Sequence, residues 1–272
     1  MKRRNDIGHP LDRYRGFVLD IDGVLVRGRE SIPGAAEALA ALRGRGPVVL
    51  LTNNATRSRR GMAAWLAEVG FTVAAGEVVP SAYVAARFLH EKHGPVRFWA
   101  LGEDGLREEM TLARHVPASP TEAEWVVVGM DRGLTYAKLA QALRALQAGA
   151  RFLATNCDPT YPTEDGPIPG AGAVVGALAG MGFHPESIVG KPSPVAFRVA
   201  LEVVGVRPEE AVMIGDRMET DIRGAQELGM DGALVLSGIS TAEDADRAAP
   251  RPTWIARDVA SLVRGELLRQ GE

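Results

Sequence analysis

A short apolar segment that ends in two carboxylates constrains this chain more than any other feature. Residues 17–19 have the pattern of a buried β-strand, and Asp20, Asp22 and Gly23 follow within four positions. The glycine allows the chain to turn sharply after the second acid. In α/β proteins, functional groups lie beyond the carboxyl ends of parallel strands, so we expect both acids to lie in a site. Taken alone, the same residues would also fit an Asx turn that closes a strand.

Polar residues also follow two further predicted strands, at 47–52 and 211–215. Strands that alternate with helical patterns along the chain predict an α/β fold with a doubly wound parallel sheet. Because parallel strands share their carboxyl ends at one edge of the sheet, we expect the polar residues to converge. They are Thr52 at the end of the first of these strands with Asn53 and Asn54 after it, and Asp216 and Asp221 after the second strand.

Capping residues predict where several helices begin. Ser31 is a candidate N-cap of the first helix, with Pro33 in its first turn. Ser58 or Thr56 is expected to cap the helix that follows Asn54, and Thr135 is expected to cap a helix in the middle of the chain. These starts place helices directly after strands, as a parallel sheet requires.

Three segments receive predictions of other kinds. Residues 1–14 are polar and without a period, which predicts a loose N-terminal arm. Residues 156–170 contain four prolines between apolar segments, which predicts an ordered functional loop. Residues 259–269 have the pattern of a last helix.

Composition excludes several classes of protein. The chain has 272 residues, 46% of them hydrophobic, enough for one large domain or two modest ones. Its formal net charge of −3 gives no reason to expect a nucleic-acid or membrane partner. Cys157 is the single cysteine, which we expect to be inert, and the absence of an intrachain disulfide fits a reducing compartment. With no visible signal peptide or membrane-length apolar run, we expect a cytoplasmic protein.

The predicted cluster of acids indicates a metal site that acts on phosphate. Neighbouring carboxylates repel one another unless a cation lies among them, and oxygen ligands without His or Cys favour Mg²⁺. Lys191, at the start of the helix before the last of these strands, and the hydroxyl of Thr52 suit the oxygens of a phosphate. A carboxylate nucleophile with a second carboxylate two residues on fits metal-assisted phosphoryl transfer.

Four motifs, in this order along the chain, resemble those of the haloacid dehalogenase superfamily. The resemblance extends over about residues 14–238, and the insertion between the second and third motifs resembles subfamily IIA, the NagD-like and p-nitrophenylphosphatase-like proteins. The four motifs begin at Asp20 (Asp-Ile-Asp-Gly-Val-Leu), Thr52 (Thr-Asn-Asn), Gly190 (Gly-Lys-Pro) and Gly215 (Gly-Asp-Arg-Met-Glu-Thr-Asp), and the cap segments are 128–136, 154–158 and 169–172.

The resemblance implies catalytic and metal-binding roles for four acids. Asp20 would be the nucleophile and a Mg²⁺ ligand. Asp22 would be the general acid and base, with its backbone carbonyl also on the metal. Asp216 would bind Mg²⁺, and Asp221 would support the metal or Lys191 from behind the ligands, with a direct contact between Asp221 and the metal left open.

The resemblance also assigns residues to the phosphate. Thr52 and Asn53 would hold the transferring phosphoryl group. Lys191 would neutralise charge between the nucleophile and the phosphate. The implied reaction is Mg²⁺-dependent hydrolysis of a small phosphorylated metabolite through an aspartyl-phosphate intermediate. The metabolite would be a sugar phosphate, a nucleoside monophosphate, phosphoglycolate or an aryl phosphate.

A core of residues 1–79 and 185–272 and an inserted α/β cap of type C2 at residues 80–184 follow from the same resemblance. The cap would cover the site and recognise the leaving group. For Asp131 and Arg132, an ion pair within the cap is an equal alternative to substrate binding. The candidate substrate residues of the cap are Asp131, Arg132, Asn156, Asp158 and Tyr161.

One departure from the family pattern bears on the substrate. Relatives that act on pyridoxal phosphate or phosphoglycolate carry a His before a Pro in the loop where this chain has Tyr161 and Pro162. The departure weakens the case for both of those substrates. A homodimer is compatible with the sequence.

Other functions can use similar parts. A phosphomutase or phosphotransferase would share the aspartyl-phosphate but would need an acceptor hydroxyl held by the cap. A receiver-type phosphate-binding module also places Asp, Thr and Lys at strand ends, but it needs neither a cap nor a leaving-group acid. A dehalogenase has no need of Asp22 or of the metal-binding acids and is disfavoured.

Overall fold

The structure is a computed structural model that describes residues 9–163 and 165–268. Its strands are β1 Gly16–Leu19, β2 Val26–Arg27, β3 Glu30–Ser31, β4 Val48–Thr52, β5 Val78–Pro80, β6 Arg97–Leu101, β7 Val116–Pro117, β8 Trp125–Val128, β9 Arg151–Ala154, β10 Thr160–Tyr161, β11 Ile168–Pro169, β12 Ser187–Ile188, β13 Ala211–Gly215, β14 Asp231–Val235 and β15 Trp254–Ala256. Its α-helices are α1 Ala35–Arg43, α2 Arg59–Glu68, α3 Ser81–His93, α4 Asp104–Leu112, α5 Tyr136–Gln147, α6 Ala171–Ala179, α7 Pro194–Val204, α8 Arg223–Glu227, α9 Ala242–Arg247 and α10 Val259–Val263.

The chain divides into two compact units. The described residues up to Leu50 and those from Ala200 onward form the first unit, and Leu51–Val199 form the second. The boundaries predicted for the cap, 79/80 and 184/185, differ from this division and stay a prediction. Strand β4 and helix α7 each contribute residues to both units.

A parallel sheet forms the centre of the first unit. Its strands run in the order β15-β14-β13-β1-β4. Strand β1 lies between β13 and β4, with Leu19 opposite both Ile214 and Leu50. All four residues of β1 and all five of β13 are buried, as the continuous apolar runs of the sequence require when helices cover a parallel sheet.

A second sheet forms the centre of the second unit. Its five strands run in the order β12-β9-β8-β6-β7, and every pairing is parallel. Buried side chains of the sheet and of helices α5 and α6 form its apolar core, with Val126, Leu146 and Leu178 among them. Strands β10 and β11 form a separate antiparallel pair. The α/β architecture predicted from the sequence is confirmed in both units.

Several local predictions are confirmed. Ser58 caps α2 by accepting a hydrogen bond from the backbone N–H of Gly61, and Thr135 caps α5 in the same way from Lys138. The proline-rich segment 156–170 is ordered over its described residues, which exclude Glu164, and it contains β10 and β11. Helix α4 was not predicted, although Leu106 and Met110 give it a buried stripe.

Three predictions about the ends of elements are wrong. Ser31 belongs to β3 and does not cap α1, which begins at Ala35 after Gly34 in the left-handed conformation, with φ 77°. Pro33 therefore precedes the helix. The last helix ends at Val263, six residues earlier than predicted, because the chain turns back and Leu267 pairs with Ala256. The predicted last residue, Arg269, lies outside the described residues.

The N-terminal arm was predicted to be loose, and this is wrong where the structure describes it: residues 9–14 form turns without a helix or strand, but they are packed. Leu11 and Tyr14 are buried, and the ring nitrogen Nε2 of His9 hydrogen-bonds the carbonyl oxygen of Val263 at 2.7 Å. Two apolar side chains in an otherwise polar segment are enough to pack it against the unit. Residues 1–8 lie outside the described part of the chain.

No helix in the described residues has the length and apolar character needed to cross a membrane.

Candidate active site

Three buried carboxylates lie together in the first unit. Asp20 follows β1, Asp216 follows β13, and Asp221 lies in a π-helical turn over Met218–Ile222. One carboxylate oxygen of each lies within 4.8 Å of those of the other two. The neighbouring positions of β1 and β13 bring the first two acids to the same sheet edge, and the turn returns the third to that edge.

Backbone N–H groups orient these carboxylates. The Asp20 carboxylate accepts a hydrogen bond from Ile21 at 2.8 Å, and that of Asp216 accepts one from Ile239 at 2.8 Å. The Asp221 carboxylate accepts one from Arg217 at 3.0 Å. Each acid is therefore held by the loop that follows its own strand or by an adjacent loop.

Close backbone packing surrounds the Asp216 carboxylate. A Cβ atom at Gly238 would overlap this carboxylate. A Cβ atom at Gly23 would also lie closer to it than side-chain atoms do in real proteins. Gly23 also has φ 79°, a conformation that glycine adopts without strain. The two glycines thus leave room for the carboxylate.

The donor set fits a hard divalent cation. Asp20, Asp216 and Asp221 are 6%, 2% and 0% exposed, and their like charges would repel strongly at this separation. A bound cation would remove that repulsion, and oxygen-only ligands are those that Mg²⁺ and Ca²⁺ prefer. The Asp221 carboxylate lies as close as the other two, so it could also contact such a cation, a point that the sequence left open.

Asp22 lies in the turn after β1 and is half-buried. The turn is closed by a hydrogen bond of 2.7 Å from the backbone N–H of Gly23 to the carbonyl of Val26, where the β2–β3 hairpin begins. Its role as general acid and base stays a prediction.

The residues predicted to hold phosphate belong to the second unit and are connected there. The Asn53 side chain donates a hydrogen bond of 2.9 Å to the carbonyl of Lys191, and the Thr52 hydroxyl accepts one of 3.1 Å from the backbone of Asn54. Lys191 is buried. A Cβ atom at Gly190 would overlap the Thr155 carbonyl, so only glycine allows this approach before the lysine.

Three of the five candidate cap residues join the same network. Asn53 donates to the Asp158 carboxylate at 3.1 Å, and Asn156 donates to the carbonyl of Asn53 at 2.7 Å. The side chain of Asn54 donates to the Tyr161 hydroxyl at 3.3 Å. The proline-rich segment is thus tied to the segment that follows β4.

The other two candidates, Asp131 and Arg132, form ion pairs elsewhere in the second unit. Asp131 is buried and contacts the ammonium of Lys138 at 2.7 Å. Arg132 contacts Glu103 through two nitrogens, at 2.8 and 2.7 Å, and this hydrogen bonding raises the pKa of the guanidinium. Both ion pairs match the structural alternative, and a role in substrate binding stays a prediction.

Sequence reasoning gave no role to Asn54 or Gly238. Asn54 directly follows Thr52 and Asn53, which were predicted to bind phosphate, and this position could have indicated a role for it. Nothing in the local sequence marks Gly238, because its importance comes from contact with a carboxylate 22 positions away.

Cys157 is exposed at the surface. Its thiol is nevertheless partly desolvated, and this desolvation together with the charge of Asp158 raises the pKa of the thiol. A raised thiol pKa fits the prediction of an inert side chain.

Known proteins resemble this chain over almost its full length. Residues 17–114 match the haloacid dehalogenase-like hydrolase family, and residues 188–262 match the HAD-hydrolase-like family. An acid sugar phosphatase from Staphylococcus aureus (strain USA300) is 33% identical over 255 residues, which cover 93% of this chain and 98% of the relative.

Solved structures agree with these matches. NagD from E. coli K-12 superposes with a TM-score of 0.83 at 34% identity, covering 91% of this chain and 97% of NagD. A glycerol phosphate phosphatase from Mycobacterium tuberculosis, in complex with magnesium, superposes with a TM-score of 0.86 at 36% identity, covering 93% of this chain and 77% of its own.

The chain has a parallel α/β fold with a carboxylate cluster at the strand ends. Together with these matches, the fold and the cluster identify the protein as a hydrolase. The chain belongs to the haloacid dehalogenase superfamily, in its NagD-like subfamily. It is an enzyme of the phosphoric monoester hydrolase type.

Proposed function

We propose that the protein is a Mg²⁺-dependent phosphatase that hydrolyses small phosphorylated metabolites through a phosphoryl group carried on Asp20. The observation that carries the proposal is the cluster of buried carboxylates of Asp20, Asp216 and Asp221, with oxygens within 4.8 Å of one another. Bound Mg²⁺ would supply charge neutralisation for the acids and for the transferring phosphoryl group. Asp20, Asp216 and the backbone carbonyl of Asp22 would hold it, with Asp221 beside them.

The reaction has two steps. An oxygen of Asp20 attacks phosphorus, the ester P–O bond breaks, and Asp22 donates a proton to the leaving oxygen. Asp22 then accepts a proton from water, the water oxygen attacks phosphorus, and inorganic phosphate leaves as the Asp20 carboxylate is restored. The hydrogen bond from Ile21 holds the nucleophile in one orientation, which favours attack along one line.

Thr52, Asn53 and Lys191 are proposed to bind the phosphoryl group. The hydrogen bond from Asn53 to the Lys191 carbonyl supports this, because it connects two of the proposed phosphate-binding residues. A buried lysine also has few roles other than pairing with an anion.

The inserted segment 80–184 is proposed to be a cap that recognises the leaving group. Asn156, Asp158 and Tyr161 are its favoured substrate contacts, because each is hydrogen-bonded to Asn53 or Asn54. The matched relatives are named for sugar phosphate and glycerol phosphate. A small polyol phosphate is therefore the proposed class, since amide, carboxylate and phenol groups suit hydroxyl-rich leaving groups.

The setting of the enzyme is proposed as well. We expect it to act in the cytoplasm on diffusible metabolites, and its net charge of −3 offers no attraction to nucleic acid. Whether two copies associate can be measured by sedimentation.

A direct test compares phosphate release from p-nitrophenyl phosphate with Mg²⁺ and with a chelator. We expect turnover only with the metal, and a loss of at least about a thousandfold in Asp20→Asn, since the nucleophile is removed. Asp104→Asn, in which the altered side chain is fully exposed, is the matched control and should keep full activity.

Two results would contradict the proposal. Asp20→Asn with near-normal turnover would remove Asp20 as nucleophile. Stable phosphorylation without turnover would indicate a regulatory phosphate-binding module. If turnover is found, a panel of phosphorylated metabolites with compared kcat/KM values would identify the substrate class.

A further inference from the structure

Arginine side chains line a cavity of about 390 Å³ in the second unit. The start of α2, the middle of α3 and the carboxyl end of α4 form its walls. None of its residues belongs to the groups assigned to phosphate, metal or leaving group. The lining side chains used below are Arg59, Tyr83, Arg87, His90, Glu109 and Arg114.

Arg59 is held rigidly at this cavity. The carboxylate of Glu109, only 1% exposed, contacts the Nε of Arg59 at 3.1 and 3.2 Å and also accepts from its backbone N–H at 2.7 Å. The guanidinium carbon lies 3.9 Å from the centroid of the Tyr83 ring. Within residues 9–163 and 165–268, no hydrogen bond uses the terminal nitrogens of Arg59. A preorganised guanidinium therefore still has donors for an oxyanion.

Arg114 adopts an unusual backbone conformation at the same cavity. It is the one non-glycine residue of the described chain with positive φ, 68°, and it follows the C-cap Ala113 of α4. Its N–H donates to the carbonyl of Thr111 at 2.9 Å, and that of His115 donates to Met110 at 3.0 Å. Glycine is the usual residue at such a helix end. Arg114 forms no ion pair with any described residue.

Arg87 adds positive charge from α3, and His90 of the same helix also lines the cavity. Arg87 pairs with Glu91, whose side chain is 54% exposed, so this ion pair contributes little and can rearrange. His90 lies edge-on to His115, with ring centroids 5.9 Å apart. Three guanidinium groups therefore face two carboxylates, and the excess charge is positive.

We propose that this cavity is a second anion site that binds a small phosphorylated molecule and shares no residue with the proposed catalytic centre. Phosphate oxygens would accept hydrogen bonds from Arg59 and Arg114, and the organic part would lie near Tyr83. The volume is within the range of small-molecule sites. A ligand here would connect α2, α3 and α4, so it can change the stability of their packing through residues that have no proposed role in the reaction.

The test follows the Nε–Hε NMR signals of the arginines in the whole protein during titration with inorganic phosphate at constant ionic strength. We expect saturable shifts of Arg59 and Arg114, while Arg132, paired with Glu103 outside the cavity, stays unchanged. Arg114→Gly, in which glycine accepts the positive φ, should weaken this binding at least tenfold, and Arg114→Lys should weaken it less. Arg107→Gln is the matched control and should bind normally.

Three results would overturn the proposal. Identical shifts with chloride, or shifts that never saturate, would indicate an adventitious ion only. Equal binding by Arg114→Gly and Arg107→Gln would exclude Arg114. Saturable binding that survives Arg114→Gly but is lost in Lys191→Met would belong to the proposed catalytic residues. The proposed phosphatase activity does not depend on any of these results.

Discussion

At the scale of single residues, the space beside Asp216 decides whether its carboxylate can join the other two acids. Gly238 and Gly23 both approach this side chain so closely that neither position can carry a Cβ atom. Gly215, at the end of β13, approaches Asp221 in the same way. Small residues thus allow three charged groups to be packed together in a buried position.

Gly238→Ala should displace the Asp216 carboxylate and weaken metal binding. Overpacking of this kind costs about 1–3 kcal/mol, so kcat/KM should fall by roughly tenfold or more. The Mg²⁺ concentration that gives half-maximal activity should rise, and calorimetric titration with Mg²⁺ should show weaker binding.

Gly76→Ala is the control for this substitution, because no atom lies within 4 Å of the added Cβ. It should leave both activity and metal affinity unchanged. Normal metal binding in Gly238→Ala would show that the carboxylate tolerates displacement and that the close packing has no functional consequence.

The candidate site shows which residues local reasoning can find. Asp20, Asp22, Asp216 and Lys191 stand in short motifs whose chemistry can be read directly from the residue types. Gly238 has no such context, and its role depends on a contact formed only after folding.

At the scale of elements, the starts of two helices follow simple capping rules. Thr135 is exposed and accepts a hydrogen bond of 3.2 Å from the backbone N–H of Lys138 at the start of α5. Ser58 acts in the same way at α2. Ser31 failed as a cap because the β2–β3 hairpin uses it and Gly34 begins the helix instead.

Thr135→Ala should lower the free energy of unfolding by about 1 kcal/mol, because the first turn of α5 loses a hydrogen-bond acceptor. Thr135→Ser keeps the acceptor and should lie within about 0.5 kcal/mol of the unchanged protein. Urea unfolding followed by far-ultraviolet circular dichroism measures both. Equal stability of the two variants would show that the cap contributes nothing here.

At the scale of the whole molecule, the first unit is built from the two ends of the chain. Tyr14 donates a hydrogen bond of 2.7 Å to the Asp231 carboxylate and accepts one of 2.8 Å from the indole of Trp254. Burial, together with the bond to Asp231, raises the pKa of Tyr14, so its hydroxyl remains a donor at physiological pH. These contacts join the segment before β1 to β14 and β15.

Tyr14→Phe should destabilise the protein by about 1–3 kcal/mol, because Asp231 loses a donor and Trp254 loses its acceptor in a partly buried place. Thermal unfolding measures the effect. Tyr136→Phe is the matched control, since Tyr136 is 88% exposed, and it should leave the melting temperature unchanged. A melting temperature for Tyr14→Phe equal to that of the control would mean that the N-terminal segment is not held by these bonds.

The amino-acid sequence by itself determined the α/β class, the order of the strands that carry chemistry, and the family, because apolar periodicity and short motifs are local properties. Only the tertiary structure decided that Asp221 lies with Asp20 and Asp216, that Asn156, Asp158 and Tyr161 bond to the Asn53 segment, and that the N-terminal segment is packed. These contacts join residues far apart in the chain, so their geometry depends on packing and loop paths that no local pattern records.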